Sequence, residues 1–243
     1  HLHAGNVSLG SGVGLNLSGI STSNELERVL IDTSSGINGD FANVTVGGFS
    51  GSVDYLTLNT RKSADGLKYL ASYTLSWTAN HSGAHGSFAL SNATDQFTVG
   101  ASLNNQMPNG ALSWDGQSLT KNGAGTLMLT GANSYTGSTT IHGGTLQIGA
   151  GGTSGTLGAG AVINNGMLAF NRSDSSTVSN DIQGTGVLSQ IGSGTTVLTG
   201  HNTYQGGTFI NGGTLQVDSD ARLGAASGAL SFNGGTLQTT ANI

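Results

Sequence analysis

Two histidines four residues apart are the pair in this chain that most suggests metal ligation. On a helix, the spacing of His81 and His85 would place both imidazoles on one face, where they could hold a divalent metal. Here Gly83 and Gly86 favour a loop or strand, and no nearby carboxylate completes a ligand set. We therefore expect two histidines in a surface turn, and we predict no metal site.

Two pairs of aspartates are candidates for the paired carboxylates of glycoside hydrolysis. Asp54 could pair with Asp65, and Asp174 could pair with Asp181. That chemistry requires two carboxyl groups about 5–10 Å apart across a sugar cleft. Each pair is flanked by Ser, Asn or Lys in sequence typical of loops. We expect solvated loop acids here.

Signatures of nucleophilic catalysis and of phosphate binding are incomplete. Serine is abundant, but no Gly-x-Ser-x-Gly elbow stands between a buried strand and a helix. The stretches Gly123-Ala-Gly125 and Gly184-Thr-Gly186 lack the following helix that a phosphate loop requires. We therefore predict no catalytic residue, no cofactor site and no enzyme activity.

One cluster of charged residues keeps an alternative open. A carbohydrate-active enzyme on a repetitive β-scaffold would need acids and bases grouped on one face. The residues that cluster are Arg61, Lys62, Asp65 and Lys68, in a segment typical of a loop.

Composition limits the elements that can carry these residues. Glycine accounts for 42 of 243 residues and proline for 1, charged residues make up 8%, and the net charge is −5. Average glycine use is about 7%. Collagen is excluded because no Gly-X-Y period exists, and disorder is disfavoured because Leu, Val, Ile and Phe recur at short intervals. Scarce basic residues argue against nucleic acid as a partner, and the absence of cysteine excludes disulfides.

A long period organises the second half of the chain. Residues 131–147 return as residues 200–216, at an offset of 69, with eleven of seventeen positions identical. The tyrosines Tyr135 and Tyr204 correspond in the two copies. An exposed role in sugar or protein contact is one reading, but recurrence at equal positions favours packing in a corner. A period this long without a helical pattern indicates stacked structural units.

Within the period, short strands alternate between apolar and polar residues. In the segment 126–130, Leu127 and Leu129 share one face, and Gly-Gly or Asn-Gly pairs precede several strands and make tight corners. A third of the period is about 23 residues, which suits one coil of a β-helix. We therefore predict an all-β fold, a right-handed, three-sided parallel β-helix, for residues 116–243.

The N-terminal part, residues 1–115, is less regular. Alternation over 41–46 and 70–77 predicts strands, whereas residues 24–31, preceded by a possible Ser/Thr cap, would form one short helical turn. We expect irregular β-helix coils with an insertion near 54–90. A compact β subdomain that leans on the rod is the other reading.

Residues 119–149 and 183–217 resemble the passenger-associated repeat of bacterial autotransporters, the type V secretion family. The resemblance rests on many positions at fixed spacing, such as Gly123-Ala-Gly125 and Gly143-Gly144-Thr145-Leu146-Gln147 in the first copy. It implies a secreted β-helical passenger carried across the outer membrane by a C-terminal β-barrel absent from this chain. In that family the repeat is associated with passenger folding and transport.

The resemblance implies a role at the bacterial cell surface or, after release, outside the cell. We expect a fragment of a surface adhesin or self-association factor of the kind that drives aggregation and biofilm formation. Its partners would be a host-cell surface, the extracellular matrix or another copy of itself. A carbohydrate-active β-helix enzyme, and a spacer or folding scaffold for another functional domain, are the alternatives.

Overall fold

The computed structural model describes residues 1–18, 20, 22, 27–47, 53–78 and 82–241. Within these ranges, helical structure is limited to three 3-10 turns, Ser76–Thr78, Gly110–Leu112 and Asp220–Arg222. The strands, numbered in chain order, are β1 Leu2–Ala4, β2 Val7–Ser8, β3 Gly14–Leu17, β4 Arg28–Thr33, β5 Ile37–Asn38, β6 Asn43–Val46, β7 Leu56–Lys62, β8 Lys68–Leu75, β9 Ser87–Ala89, β10 Gln96–Val99, β11 Leu119–Asn122, β12 Thr126–Leu129, β13 Thr139–Ile141, β14 Thr145–Ile148, β15 Val162–Asn164, β16 Met167–Phe170, β17 Ser175–Val178, β18 Ile182–Gln183, β19 Val187–Gln190, β20 Thr195–Leu198, β21 Thr208–Ile210, β22 Thr214–Val217, β23 Leu230–Phe232 and β24 Thr236–Thr239.

Three parallel sheets form the body of the molecule. Sheet I has the order β10-β12-β14-β16-β19-β21-β23, sheet II the order β9-β11-β13-β15-β18, and sheet III the order β17-β20-β22-β24. Strands β15, β16 and β17 follow one another along the chain and lie in sheets II, I and III, so one coil visits all three sides. The predicted all-β parallel β-helix is confirmed.

The relation between the sequence period and the coil differs from the prediction of three equal coils per period. In sheet II, Leu119 is aligned with Thr139, Thr139 with Val162, and Val162 with Ile182, so the middle coil has the predicted length and its two neighbours are shorter. Leu188, the counterpart of Leu119, lies one side further on, in sheet I. The period is therefore three coils plus one side.

Stacked apolar side chains fill the interior of the rod. In sheet I, Leu127, Leu146, Leu168 and Leu188 are successive register partners, and each is 0% exposed. Burying a leucine side chain contributes roughly 1.5–3 kcal/mol relative to exposure. A single column of this kind therefore supplies much of the free energy that holds neighbouring coils together.

Close contact between coils explains the glycines at the corners. Gly123 has a φ of +76°, and a Cβ there would lie 2.1 Å from the carbonyl oxygen of Leu90 in the preceding coil. An L-residue would be strained by the dihedral angle and would also clash with the backbone. The Gly-rich motif is thus required for tight winding.

The N-terminal coils are larger and are joined by a hairpin. Strands β1, β2 and β3 pair in parallel with β4, β5 and β6, and partners such as Leu2 and Ile31 lie further apart in sequence than partners from β11 onward, such as Leu119 and Thr139. The antiparallel hairpin β7–β8 then pairs with the other edge of β4. The predicted helical turn over 24–31 is wrong from Arg28 onward, where β4 pairs on both edges and its β-branched Val29 and Ile31 suit a strand. Residues 24–26 lie outside the described residues.

Aromatic side chains connect the base of the hairpin to the rod. Trp77 is 0% exposed, lies 5.2 Å from both Trp114 and Tyr135 between ring centroids, and donates from Nε1 to the Asn104 carbonyl at 2.8 Å. Tyr55 packs on Phe97 at 4.6 Å. One apolar cluster extends from Tyr55 to Val217. The domain division near residue 115 and the insertion near 54–90 stay predictions.

Candidate interaction surface

Of the two histidines weighed as a metal-ligating pair and expected to lie in a surface turn, one lies outside the described residues. His81 is the one that is not described. His85 is occupied on both ring nitrogens: Nε2 contacts the Asp54 carbonyl at 2.9 Å, and Nδ1 accepts from the Ser87 N–H at 3.2 Å. These contacts position the loop before β9 against the segment that leads into β7.

The aspartates Asp54 and Asp65 do not form a catalytic pair. Asp54 precedes β7, whereas Asp65 lies in the turn that follows it. The seven residues of β7 separate the two carboxyls by roughly 20 Å at about 3.3 Å per residue. Hydrogen bonds from the Ser63 hydroxyl and the Leu67 N–H hold the pKa of Asp65 below its usual range, so it remains an ionised turn-forming acid.

The second pair, Asp174 and Asp181, is also separated by a strand. Asp174 precedes β17 and forms a two-point ion pair with Arg172, with N–O distances of 2.9 and 2.8 Å. Asp181 follows β17 and accepts from the His201 N–H at 2.7 Å. The Arg172 hydrogen bonds lower the pKa of Asp174. Each carboxylate therefore stabilises its own corner of the rod.

The charged cluster lies in a hairpin, whereas its sequence predicted a loop. Arg61 and Lys62 end β7, Lys68 begins β8, and Asp65 lies in the turn between them. Arg61 forms an exposed ion pair with Glu27 at 2.9 Å. The cluster is thus divided among different contacts and does not converge on a cleft.

Two open grooves on the rod also lack paired acids. A groove of about 370 Å³ beside β17 is lined by hydroxyl, amide and apolar groups, including Phe170 and Asn180, and by no carboxylate. A second groove, of about 340 Å³, contains one carboxylate, Asp115. Burial raises the pKa of Asp115, but hydrogen bonds from Ser118 and Gln117 outweigh it and keep the pKa below the ordinary value.

The repeated tyrosines are internal. Tyr135 and Tyr204 are each 0% exposed, so the reading as exposed contact residues is wrong. The Tyr135 hydroxyl lies 2.8 Å from the Thr139 hydroxyl, and the Tyr204 hydroxyl lies 2.6 Å from that of Thr208. Burial raises the pKa of Tyr204 to about 12, which keeps the phenol neutral.

The repeated asparagines tie three coils together. Asn202 Oδ1 accepts from the Ile182 N–H at 2.9 Å, and its Nδ2 donates to the Arg222 carbonyl at 2.7 Å. Its counterpart, Asn133, makes the same pair of bonds to the Leu103 N–H and the Thr156 carbonyl. The matching spacing of Asn and Tyr within the two copies is therefore structural.

A third repeated position carries a buried cation in one copy and an amide in the other. Lys121 is 0% exposed, and its Nζ donates to the carbonyls of Asn122, Gly123 and Gly143 at 2.9, 2.9 and 3.1 Å. Burial lowers its pKa to about 8. At the equivalent position, Gln190 donates to the Gly192 and Gly194 carbonyls.

Hydroxyl and amide groups share the outward faces with apolar side chains such as Met167 and Phe232. In sheet II, Thr120 and Thr140 are register partners on the half-exposed face, and in sheet I Thr126 and Thr145 are aligned in the same way. In the described part of 116–241, Arg172 and Arg222 are paired with aspartates, and Lys121 is enclosed. The side of the rod therefore offers many neutral hydrogen-bonding groups and little net charge.

The two copies of the repeat match a known family of sequence repeats. A family model named Passenger-associated-transport-repeat matches residues 119–148 and 188–217. The chain carries two passenger-associated transport repeats. The resemblance to an autotransporter passenger is confirmed, and the second match begins at residue 188, later than the start at 183 predicted from the sequence.

Part of the chain is also similar to a protein that is named as an adhesin. A stretch of 67 residues, 28% of this chain, is 52% identical to the adhesin BmaC autotransporter of Brucella suis biovar 1 (strain 1330). The match covers 2% of that relative, so this chain spans a small fraction of its length. Across the described residues, every helix is a single short turn, far short of a membrane span.

A group of three possible metal ligands was missed by the sequence analysis. His1, His3 and Asp32 lie together on the first two coils, with their ligand atoms within 4.8 Å of one another. The signal in the sequence is a His-x-His pair on a strand. Asp32 could not be added to it before the length of the first coil and the register of β1 on β4 were known.

Proposed function

We propose that this chain is a rod segment of a bacterial surface adhesin, exported as an autotransporter passenger. Its contact surface is the outward hydroxyl and amide face of the sheets, and its partner is another copy of the rod or a host surface. The observation that carries this proposal is the pair of aligned outward threonines in sheet II, Thr120 and Thr140, together with the match to a protein named as an adhesin.

Low charge supports contact between rods. Like-charged surfaces repel at short range, whereas neutral hydroxyl ladders exchange hydrogen bonds with water for hydrogen bonds with a partner. Each bond contributes about 0.5–1.5 kcal/mol at most. A rod presents many such groups in register, so weak contacts add through avidity.

Beads coated with the chain test the proposal. We expect coated beads to aggregate, and we expect the double variant T120K/T140K to abolish aggregation because it places two cations side by side on one outward face. The matched control, A150K/S193K, adds the same charge at exposed turns. Equal aggregation by both variants would exclude the outward face of sheet II as the contact surface.

A spacer role is the second candidate. The residues that recur in the two repeats, such as Asn133, Tyr135 and Gly144, lie inside coils or at their corners. Repetition at these positions therefore preserves winding, although the outward Thr126 and Thr145 also recur, as Thr195 and Thr214. Coated beads that neither aggregate nor bind cells or matrix would favour this role.

The carbohydrate-active alternative predicts turnover of a polysaccharide. The described aspartate pairs lie at opposite ends of strands, which disfavours the two-carboxylate mechanism. A depolymerisation assay with release of reducing ends would detect it, and measurable turnover would replace the adhesin proposal.

A further inference from the structure

We propose that His1, His3 and Asp32 form a zinc site that links the first coil to the second. The proposal is independent of adhesion, because it concerns the N-terminal coils and not the outward faces of the rod.

The register of two parallel strands brings the three side chains together. His3 on β1 is the direct partner of Asp32 on β4, so both side chains project from the same face of the sheet. Residues two apart on an extended chain share a face, which places His1 beside His3. The His1 and His3 ring centroids are 4.1 Å apart, and His3 Nδ1 lies 3.7 Å from Asp32 Oδ2.

Two imidazoles and a carboxylate are ligands that zinc prefers. Zinc bonds to nitrogen and oxygen at about 2.0–2.2 Å in a tetrahedron, so ligand atoms bound to one ion lie roughly 3.3 Å apart. The three ligand atoms already lie within 4.8 Å. Both histidines are exposed, so small side-chain rotations close the remaining distance without moving the backbone. Water would occupy the fourth position.

The first coil is held to the second by few register pairs, so a link between them stabilises it. β1 is joined to β4 by three register pairs, and β2 is joined to β5 by two. Leu2 in β1 is 57% exposed, so apolar burial holds this strand weakly. A metal that bridges β1 and β4 therefore stabilises a coil that has little apolar burial.

One neighbouring charge opposes the metal. Lys68 on β8 is the register partner of Asp32 on the other edge of β4, and opposite residues of an antiparallel pair share a face. Its positive charge lowers the affinity of the site for a dication. Removing that charge by the substitution Lys68→Gln is expected to tighten zinc binding.

Calorimetric titration with zinc chloride tests the site. The chain should carry a short Gly-Ser extension before His1, because a free α-amino group at His1 would itself be a ligand. We expect one zinc per chain, a loss of affinity of about tenfold or more in H3A and in D32N, and tighter binding in K68Q. The matched control H142A removes an exposed histidine from a distant coil and should bind zinc as the unsubstituted chain does.

Measurements on the unsubstituted chain make the test independent of how well the variants fold. Zinc should shift the imidazole NMR signals of His1 and His3 but not those of His142 and His201, and it should slow amide exchange in Leu2–Ala4. Unchanged affinity in D32N, an equal loss in H142A, or no shift at His1 and His3 would each overturn the proposal.

Discussion

Leu119 and Leu188 occupy the same position in the two repeats but lie in different sheets of the β-helix. Leu119 belongs to sheet II, and Leu188 stacks on Leu168 in sheet I. The pairing of Leu119 with Thr139 nevertheless recurs as Leu188 with Thr208. Each repeat therefore preserves its own internal contacts while turning by one side about the rod axis.

The Tyr135 ring lies against the backbone of the next coil and leaves no space there for a side chain. A Cβ on Gly158 would lie 2.3 Å from two carbons of that ring. We expect G158A to lower the free energy of unfolding by about 1–3 kcal/mol, because overpacking forces the ring or the backbone to move. Urea unfolding measures the change. Gly152, where a Cβ meets nothing within 4 Å, provides the control variant G152A, which should differ little from the unsubstituted chain.

Asn202 is expected to contribute strongly to stability, because its side chain bonds to the backbone of two neighbouring coils. The substitution N202A leaves the Ile182 N–H and the Arg222 carbonyl without their partner. Each unpaired buried backbone group costs about 1–3 kcal/mol, so we expect a loss of about 2–4 kcal/mol in urea unfolding. Q183A, at an exposed position on β18, should leave stability almost unchanged. Equal stability of N202A and Q183A would contradict the bridging role.

Because burial lowers the pKa of Lys121, we expect the stability of the folded chain to rise at alkaline pH. Its pKa is about 8 in the folded chain and about 10.4 when unfolded, so between these values the unfolded chain binds the additional proton. Stability therefore increases as the pH rises from 8 to 10, by up to about 2 kcal/mol. In K121M this gain is absent, although the variant is less stable at pH 7 because three carbonyls lose their donor.

Melting temperatures of both chains at pH 7, 8, 9 and 10 measure the Lys121 contribution as a difference. The difference removes titration of other groups common to both chains. Parallel curves for the two chains would show that Lys121 keeps its proton throughout, held by the carbonyls of Asn122, Gly123 and Gly143.

Ser76 is expected to be better replaced by alanine. It is 1% exposed, and among the described residues its hydroxyl has no hydrogen-bond partner. Removing an unpaired buried hydroxyl relieves its desolvation penalty. We expect S76A to raise the melting temperature by a few degrees, in line with about 1 kcal/mol of stability. A lower melting temperature would show that the hydroxyl is paired in solution.

The stacking of coils was predictable from sequence because its signals are local. Alternation of Leu127 and Leu129, followed by glycine corners, specifies a short strand and a tight turn wherever it occurs. The length of each coil was not predictable in this way. The sequence period gives the number of residues between equivalent positions of the repeat. Strand register gives the number of residues in one coil, and the period is not a whole number of coils because the repeat ends one side further on.

The meaning of the differences between copies also needed the structure. Lys121 and Leu127 in the first repeat correspond to Gln190 and Thr196 in the second. Lysine has no acceptor, and a leucine stands in the first copy where Thr196 stands in the second, whereas the Gln190 Oε1 accepts from the Thr196 hydroxyl at 2.7 Å. The two substitutions are therefore coupled, which sequence alone shows only as two unrelated changes.

Each copy of the repeat is rotated by one side of the rod, and this rotation determines where a longer array would present its repeated side chains. Three successive copies would complete one full revolution and add ten coils, which span about 48 Å at the roughly 4.8 Å spacing of parallel strands. A side chain repeated in every copy would then follow a spiral around the rod and return to the same side after every ten coils. A flat surface that contacts one side of the rod would meet that side chain once every ten coils. This interval would therefore set the spacing of the receptors on that surface.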